Sequence, residues 1–132
     1  MLLTPTYHVM ELYKGHQDAT MIPIHVKSGD YELGEKKLKA ISASASINEA
    51  GQIHISLVNI HATRTQELRI DLRGTEARKI SGQILTAQKL QAHNTFDNPN
   101  VIQPKNFKDF KLDSKELSVQ LPPFSVVVLR LE

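Results

Sequence analysis

Apolar and polar residues alternate strictly along two neighbouring stretches in the middle of the chain. Residues 41–47 (ISASASI) place isoleucine and alanine on one face and serine on the other, and residues 53–57 (IHISL) resume the same alternation. A period of two predicts β-strands, and residues 48–51 (NEAG) between them are typical of a turn, with Gly51 free to adopt positive φ. A hairpin of two strands is only marginally stable in water. We therefore expect a second layer to cover its apolar face.

The rest of the chain offers several further strands for that layer. Strands are predicted over residues 18–27, 68–72, 79–88, 117–121 and 124–132. Seven or eight strands with short turns and no interleaved helices predict an all-β fold, an antiparallel β-sandwich of jelly-roll-like type. Within these strands, Pro23 favours an edge position or a bulge, and Gly82 suggests a bulge. The irregular stretch 90–106 is expected to be pinned to the core by Phe107 and Phe110.

One short helix is predicted at the start of the chain. Thr4 and Pro5 form a helix-start signature, and Gly15 fits a C-terminal cap after Lys14. The helix is apolar on nearly all sides, which is typical of helices buried on more than one side. We expect the β domain to cover one side and a larger neighbour or a second copy to face three of its residues. These are Tyr7, Met10 and Tyr13.

Composition narrows the class of protein. The chain has 132 residues, enough for one domain with a real core, and a net charge of +2 with its basic residues spread out. Dispersed charge argues against nucleic acid and membrane partners. The absence of cysteine excludes disulfides and thiol chemistry. No apolar run approaches the roughly 20 residues of a membrane helix. No signal peptide is evident; a complete protein would then be cytoplasmic, whereas a signal could lie upstream of a fragment and leave the compartment unknown.

Candidate chemistry is sparse. None of the six histidines forms an HExxH motif; His25 and His54 could be neighbours across strands, but exposed imidazoles are favoured over a metal site. No serine sits in a GxSxG elbow, and the serines of residues 42–46 are expected on a solvent face. The carboxylates lie beside lysine or arginine, which indicates a mixed-charge surface rather than a catalytic pair. No catalytic, cofactor-binding or metal-binding residue is assigned, and no cofactor is expected.

A stand-alone carbohydrate-binding module is an alternative function for a small β-sandwich. Such modules commonly stack flat aromatic rings on sugars, and the chain has no tryptophan. Tyr31 and Phe96 are the candidate sugar-contacting rings. A purely structural or interaction domain is the third alternative.

Three stretches together resemble family 51 of the glycoside hydrolases, the α-L-arabinofuranosidases. They are LLTPTYHVMELYKGHQDAT (residues 2–20), KLQAHNTFDNPNVIQP (residues 89–104) and LPPFSVVVLRL (residues 121–131), in that order. The family has a (β/α)8 barrel followed by a C-terminal jelly-roll sandwich. The resemblance implies that residues 1–17 are a remnant of the last barrel helix and its linker, and that residues 18–132 are the sandwich domain. It also implies that the outer side of the helix packs on the barrel.

The resemblance implies a non-catalytic accessory role for this chain. The two catalytic glutamates of the family lie on barrel strands, and no glutamate here matches either motif. The whole enzyme would remove terminal α-L-arabinofuranosyl groups from arabinan or arabinoxylan with retention, using two carboxylates about 5 Å apart and no cofactor. The implied partners are the catalytic barrel of the same parent chain, the arabinose-containing polysaccharide and a second copy in a homo-oligomer. Segments before the barrel can add strands to the sandwich in such enzymes, so an open sheet edge is expected here.

Overall fold

The chain folds into one short helix, a 3-10 turn and eleven strands. The computed structural model describes the backbone of residues 1–132 and every side chain except that of Leu33. Helix α1 spans Pro5–Tyr13, and the 3-10 turn follows at Lys14–His16. The strands are β1 (Thr20–Ile22), β2 (Asp30–Leu33), β3 (Lys36–Lys39), β4 (Ile41–Ile47), β5 (Ile53–Asn59), β6 (Gln66–Asp71), β7 (Ile80–Thr86), β8 (Lys105–Asn106), β9 (Phe110–Asp113), β10 (Glu116–Leu121) and β11 (Ser125–Leu131).

The strands form two main antiparallel sheets, which confirms the predicted all-β sandwich. The large sheet has the order β1-β4-β5-β11-β7-β8, and the small sheet has the order β6-β10-β9. A separate hairpin, β2-β3, stands beside them. The C-terminal strand β11 pairs with β5 on one side and with β7 on the other, so the last strand of the chain lies near the middle of the large sheet.

The predicted central hairpin is confirmed. Strands β4 and β5 pair from Ile41 opposite Asn59 to Ile47 opposite Ile53. Gly51 has a φ of 80°, the conformation that glycine adopts without steric cost. The Asn48 side chain accepts a hydrogen bond from the Gln52 backbone N–H at 2.9 Å, which closes the turn.

The main core lies between the two sheets. The apolar face of the small sheet supplies Leu117, Val119 and Leu121, and the facing side of β11 supplies Val127 and Leu129. All five side chains are fully buried. Phe107 is also buried in this core and Phe110 packs against it, as the sequence predicts. Burial of these aliphatic side chains drives the association of the two sheets.

The small sheet covers the large sheet incompletely. Strand β6 is the edge of the small sheet, and a groove of about 710 Å³ lies between it and the inner faces of β4 and β5. The apolar residues Ile55, Leu68 and Ile70 line this groove, together with residues 22–27. Strand β6 is thus one edge of the small sheet, and the expectation that upstream strands complete the sandwich stays a prediction.

Several predicted strands differ from the observed ones. Only β1, three residues long, forms within the predicted strand 18–27, and Pro23 follows its end. The hairpin β2-β3 and the short strands β8 and β9 account for the larger strand number, and they carry too few alternating apolar residues to be recognised. Gly82 keeps regular pairing with Leu129, so it does not mark a bulge. A Cβ at this glycine would lie 3.0 Å from the Phe107 carbonyl oxygen, and this close approach explains the residue.

Candidate functional site

Helix α1 packs on the outer face of the large sheet, away from the main core. Its Leu12 joins a second apolar cluster with Leu85 of β7, Val128 of β11 and Ile102. The helix begins as predicted: the Thr4 hydroxyl oxygen accepts a hydrogen bond from the Tyr7 backbone N–H at 3.2 Å, and proline follows at the first helical position. The sheet thus covers one side of α1, as the sequence predicts.

The opposite side of α1 is open. Tyr7 is 45% exposed and Met10 is 71% exposed. Tyr13 is placed differently: it is partly buried, packs against the second cluster and meets the His16 ring edge-on, with 5.6 Å between ring centroids. The three predicted partner-facing residues therefore divide into two outward side chains and one at the margin of the helix–sheet contact.

A long loop, residues 87–104, is tied to the start of the helix. Asn94 is buried, and its Nδ2 donates to the Leu3 carbonyl at 2.9 Å and to the Ile102 carbonyl at 2.8 Å. Its Oδ1 accepts from the Ile102 backbone N–H at 2.7 Å. Asn94 therefore joins the loop to the segment before α1. The loop also carries three exposed apolar side chains, namely Leu90, Phe96 and Val101.

The 3-10 turn that follows α1 is hydrogen-bonded to the outer face of the large sheet. His16 Nδ1 lies 2.6 Å from the Ser46 hydroxyl, and His16 Nε2 lies 3.1 Å from the Ser56 hydroxyl. Ser56 is in turn hydrogen-bonded to the Ser44 hydroxyl. The expectation of a solvent-facing serine stripe holds for Ser44 and is wrong for Ser46, which is buried because the turn covers this face.

Gly15 is explained by contact rather than by capping. The positive-φ glycines of the chain are others, and the helix end runs on into the 3-10 turn, so the predicted left-handed cap at Gly15 is wrong. The His54 ring lies directly against Gly15: a Cβ at this position would be 2.3 Å from His54 Cδ2. Only glycine lets the turn approach β5 this closely.

Two imidazoles meet at this junction. The rings of His16 and His54 are 6.1 Å apart between centroids and meet edge-on. His54 Nδ1 is buried and has no hydrogen-bond partner among the described side chains and backbone. Burial lowers the pKa of His16 below its ordinary value of 6.5. Burial, then the neighbouring His16 and Arg130, lower the pKa of His54 in the same direction.

The predicted proximity of His25 and His54 is wrong. His25 follows β1 outside any strand and borders the groove on the inner face of the large sheet, whereas His54 lies on the outer face. The described side chains contain no group of three or more histidine or carboxylate residues able to hold a metal ion. In the described part of the chain, no helix has the length and apolarity needed to cross a membrane.

The carboxylates near basic residues lie at the surface. Asp71 pairs with Arg73 at 2.8 Å, and Glu132 pairs with Arg130 at 2.9 Å, both with substantial exposure of the charged groups. These are surface ion pairs, which contribute little to stability. A glycosidase pair instead needs one carboxyl group to be protonated and both to face one cleft.

The two candidate sugar-contacting rings have unlike surroundings. Phe96 is 84% exposed in the long loop. Tyr31, on β2, is partly buried, and its ring meets His61 edge-on with 4.9 Å between centroids. Neither ring borders the apolar groove, nor a second, more polar cleft beside α1 that is lined by Glu11, His54 and Arg130.

The chain is similar to α-L-arabinofuranosidases along its whole length. The family model described as the α-L-arabinofuranosidase C-terminal domain matches residues 1–125. A curated relative, an intracellular exo-α-L-arabinofuranosidase of Bacteroides ovatus, is 44% identical over the full length of this chain. The chain spans only about a quarter, 26%, of that relative.

Solved structures agree. The GH51 arabinofuranosidase from Xanthomonas axonopodis pv. citri superposes on the full chain with a TM-score of 0.96 at 36% identity, and 27% of that protein is covered. The thermostable GH51 α-L-arabinofuranosidase from Thermotoga petrophila RKU-1 gives a TM-score of 0.81 at 26% identity, covering 99% of this chain and 29% of that protein. In both, the matched region is one part of a much longer chain.

Proposed function

Because the chain belongs to the family of α-L-arabinofuranosidase C-terminal domains, we propose that it is a non-catalytic accessory domain that braces the catalytic barrel of its parent enzyme. The parent would hydrolyse terminal α-L-arabinofuranosyl groups of arabinan or arabinoxylan with retention. On this proposal, residues 1–17 connect the barrel to the domain and residues 18–132 form the brace. The two catalytic carboxylates would belong to the barrel.

The observation that carries the proposal is the two-sided helix α1. One side packs on the sheet through Leu12, while Tyr7 and Met10 point away from it with about half or more of their surface exposed. Large apolar side chains gathered on one exposed surface are typical of a protein contact. Relatives about four times as long supply a natural occupant for that surface, namely the rest of the same chain.

The proposal that this chain is non-catalytic is tested directly by assaying it with an aryl α-L-arabinofuranoside. We expect no release of the aryl alcohol above a carefully purified blank, because every aspartate and glutamate of the chain is exposed to solvent rather than enclosed in a catalytic cleft. Turnover that survives repurification would contradict the proposal.

The bracing role is tested by a chimera in which this chain replaces the matching region of the Bacteroides ovatus enzyme. We expect the chimera to be active and the double substitution of Tyr7 and Met10 by serine to lower its melting temperature. Loss of burial costs about 2 kcal/mol for each large apolar side chain. The same variants should leave the 132-residue chain unchanged, because these residues are exposed there.

The matched control is Leu38→Ser, at an exposed residue (64%) on the separate β2-β3 hairpin. It should leave the chimera's melting temperature unchanged. Equal losses in the chimera and the isolated chain, or a dimer of the isolated chain that dissociates on Tyr7→Ser, would show that the barrel is not what covers this surface.

Carbohydrate binding is a second candidate, favoured by the exposed ring of Phe96. It predicts saturable calorimetric binding to arabinan or arabinoxylan that Phe96→Ala abolishes and Tyr31→Ala weakens. Calorimetric titrations without binding heat at millimolar sugar would contradict carbohydrate binding. Such a result leaves the accessory role intact.

A further inference from the structure

The junction between α1 and the large sheet is held by imidazoles that are partly withdrawn from water. His16 bridges two serine hydroxyls of β4 and β5, and His54 of β5 packs against Gly15 and against the His16 ring. We propose that this contact, which we call the histidine latch (Gly15, His16, Ser46, His54 and Ser56), is an acid-sensitive switch. It holds the end of α1 on the sheet while both rings are neutral and releases it when they are protonated. The inference goes beyond the accessory role and does not depend on it.

The hydrogen bonds of His16 fit the neutral ring. A neutral imidazole donates through one nitrogen and accepts through the other, and a serine hydroxyl can supply either partner. In the protonated ring both nitrogens donate. The hydroxyl that donated to the ring must then turn away and find another acceptor. Protonation therefore reorganises the network of Ser46, Ser56 and Ser44.

The charges around the latch add to this effect. Three charged side chains lie around the latch. Lys14 and Glu11 come from the end of the helix, and Arg130 of β11 is paired with His54 across the sheet. Glu11 is 3.9 Å from Lys14, and Glu132 is 2.9 Å from Arg130. The Tyr13 ring meets the His16 ring edge-on.

No carboxylate compensates a charged ring. Among the described side chains, none forms an ion pair with either imidazole. A proton on one ring would sit beside the second ring and near a guanidinium. Like charges so placed repel, and a partly buried cation loses hydration.

The sign of the pH dependence follows. Both pKa values are lowered in the folded chain, so below about pH 6.5 the unfolded chain binds more protons than the folded one. The stability that the two neutral rings contribute is fully present above that pH. It is lost as the pH drops from about 6.5 to the lowered pKa values. In this window each histidine raises the unfolding equilibrium constant by up to about tenfold per pH unit.

The test combines histidine titration by NMR, urea unfolding between pH 8 and pH 5, and hydrogen exchange of the 132-residue chain. We expect both rings to titrate below 6.5. Protection of the turn amides of Gln17 and Ala19, which bond to Lys14 and His16 carbonyls, should fall in acid while that of β11 persists. The variants His16→Gln and His54→Phe remove the titrating groups but keep, respectively, a donor–acceptor side chain and a ring. Each should flatten the pH profile.

The control is His25→Gln, at an exposed histidine outside the latch, which should leave the profile unchanged. Identical pH profiles for the wild type, His16→Gln and His54→Phe would overturn the inference. Should either variant fail to fold, the wild-type titration decides: a ring of His16 or His54 titrating at or above 6.5 overturns it.

Discussion

Asn59 offers the sharpest stability test, because one buried side chain joins three segments. It lies at the end of β5, 1% exposed, and its Nδ2 faces the carbonyl oxygens of Arg64, Leu121 and Pro122 at 3.0–3.1 Å. Its Oδ1 accepts from the His61 backbone N–H at 3.0 Å. The residue therefore holds the loop after β5 and the link between β10 and β11 together, which connects the two sheets.

The expected loss of stability can be worked out from the number of hydrogen bonds that the Asn59 amide makes. The amide has two N–H donors for three carbonyls and one acceptor in use, so truncation removes three hydrogen bonds. At about 1 kcal/mol each, Asn59→Ala should cost about 3 kcal/mol. Asn59→Asp should cost more at pH 7, because it replaces the donors by a buried negative charge facing carbonyl oxygens. Lowering the pH should narrow the gap between the two variants, since the protonated carboxyl can donate again.

The assay is urea unfolding followed by far-UV circular dichroism, because the chain has no tryptophan. Comparing the variants at the same pH cancels any contribution from the histidines. Asn100→Asp, at an exposed loop residue, is the control and should change stability by less than about 0.5 kcal/mol. Equal or greater stability of Asn59→Asp relative to Asn59→Ala at pH 7 would refute the assignment of these hydrogen bonds.

Three other substitutions have defined outcomes. Thr4→Ala should lower stability by about 1 kcal/mol in urea unfolding through loss of the helix cap, whereas Thr6→Ala inside the helix should not; equal effects would exclude capping. Gly82→Ala should cost about 1–3 kcal/mol because its Cβ would press on Phe107 and Leu129, while Gly29→Ala has open space; a neutral Gly82→Ala would contradict the close packing. Asn94→Ala should raise hydrogen exchange at the Ile102 amide, and unchanged protection there would argue against the loop tether.

Local sequence pattern predicts part of the candidate site, namely the side chains on the outer side of α1. A helix apolar on all sides cannot bury every side chain on one sheet, and this predicted the exposure of Tyr7 and Met10. The inward turn of Tyr13 was not predictable, because the cluster it packs against contains residues that lie far away along the chain. The roles of Asn94 and His16 were not predicted either. Asn94 belongs to the HNTFDNP stretch noted for its family resemblance, but its carbonyl partner Leu3 is 91 residues away.

Local patterns in the sequence are enough to specify the capped helix, the central hairpin with its glycine turn, and the strands with strict alternation. Backbone sterics and side-chain periodicity act over a few residues, so these features survive without knowledge of the fold. Long-range packing placed β11 between β5 and β7 and put β6 at the edge of the small sheet. It also decided that His16 meets Ser46 and Ser56, 30 and 40 residues further along the chain. Such contacts depend on which apolar faces pack together, and many pairings of similar strands satisfy the same alternating pattern.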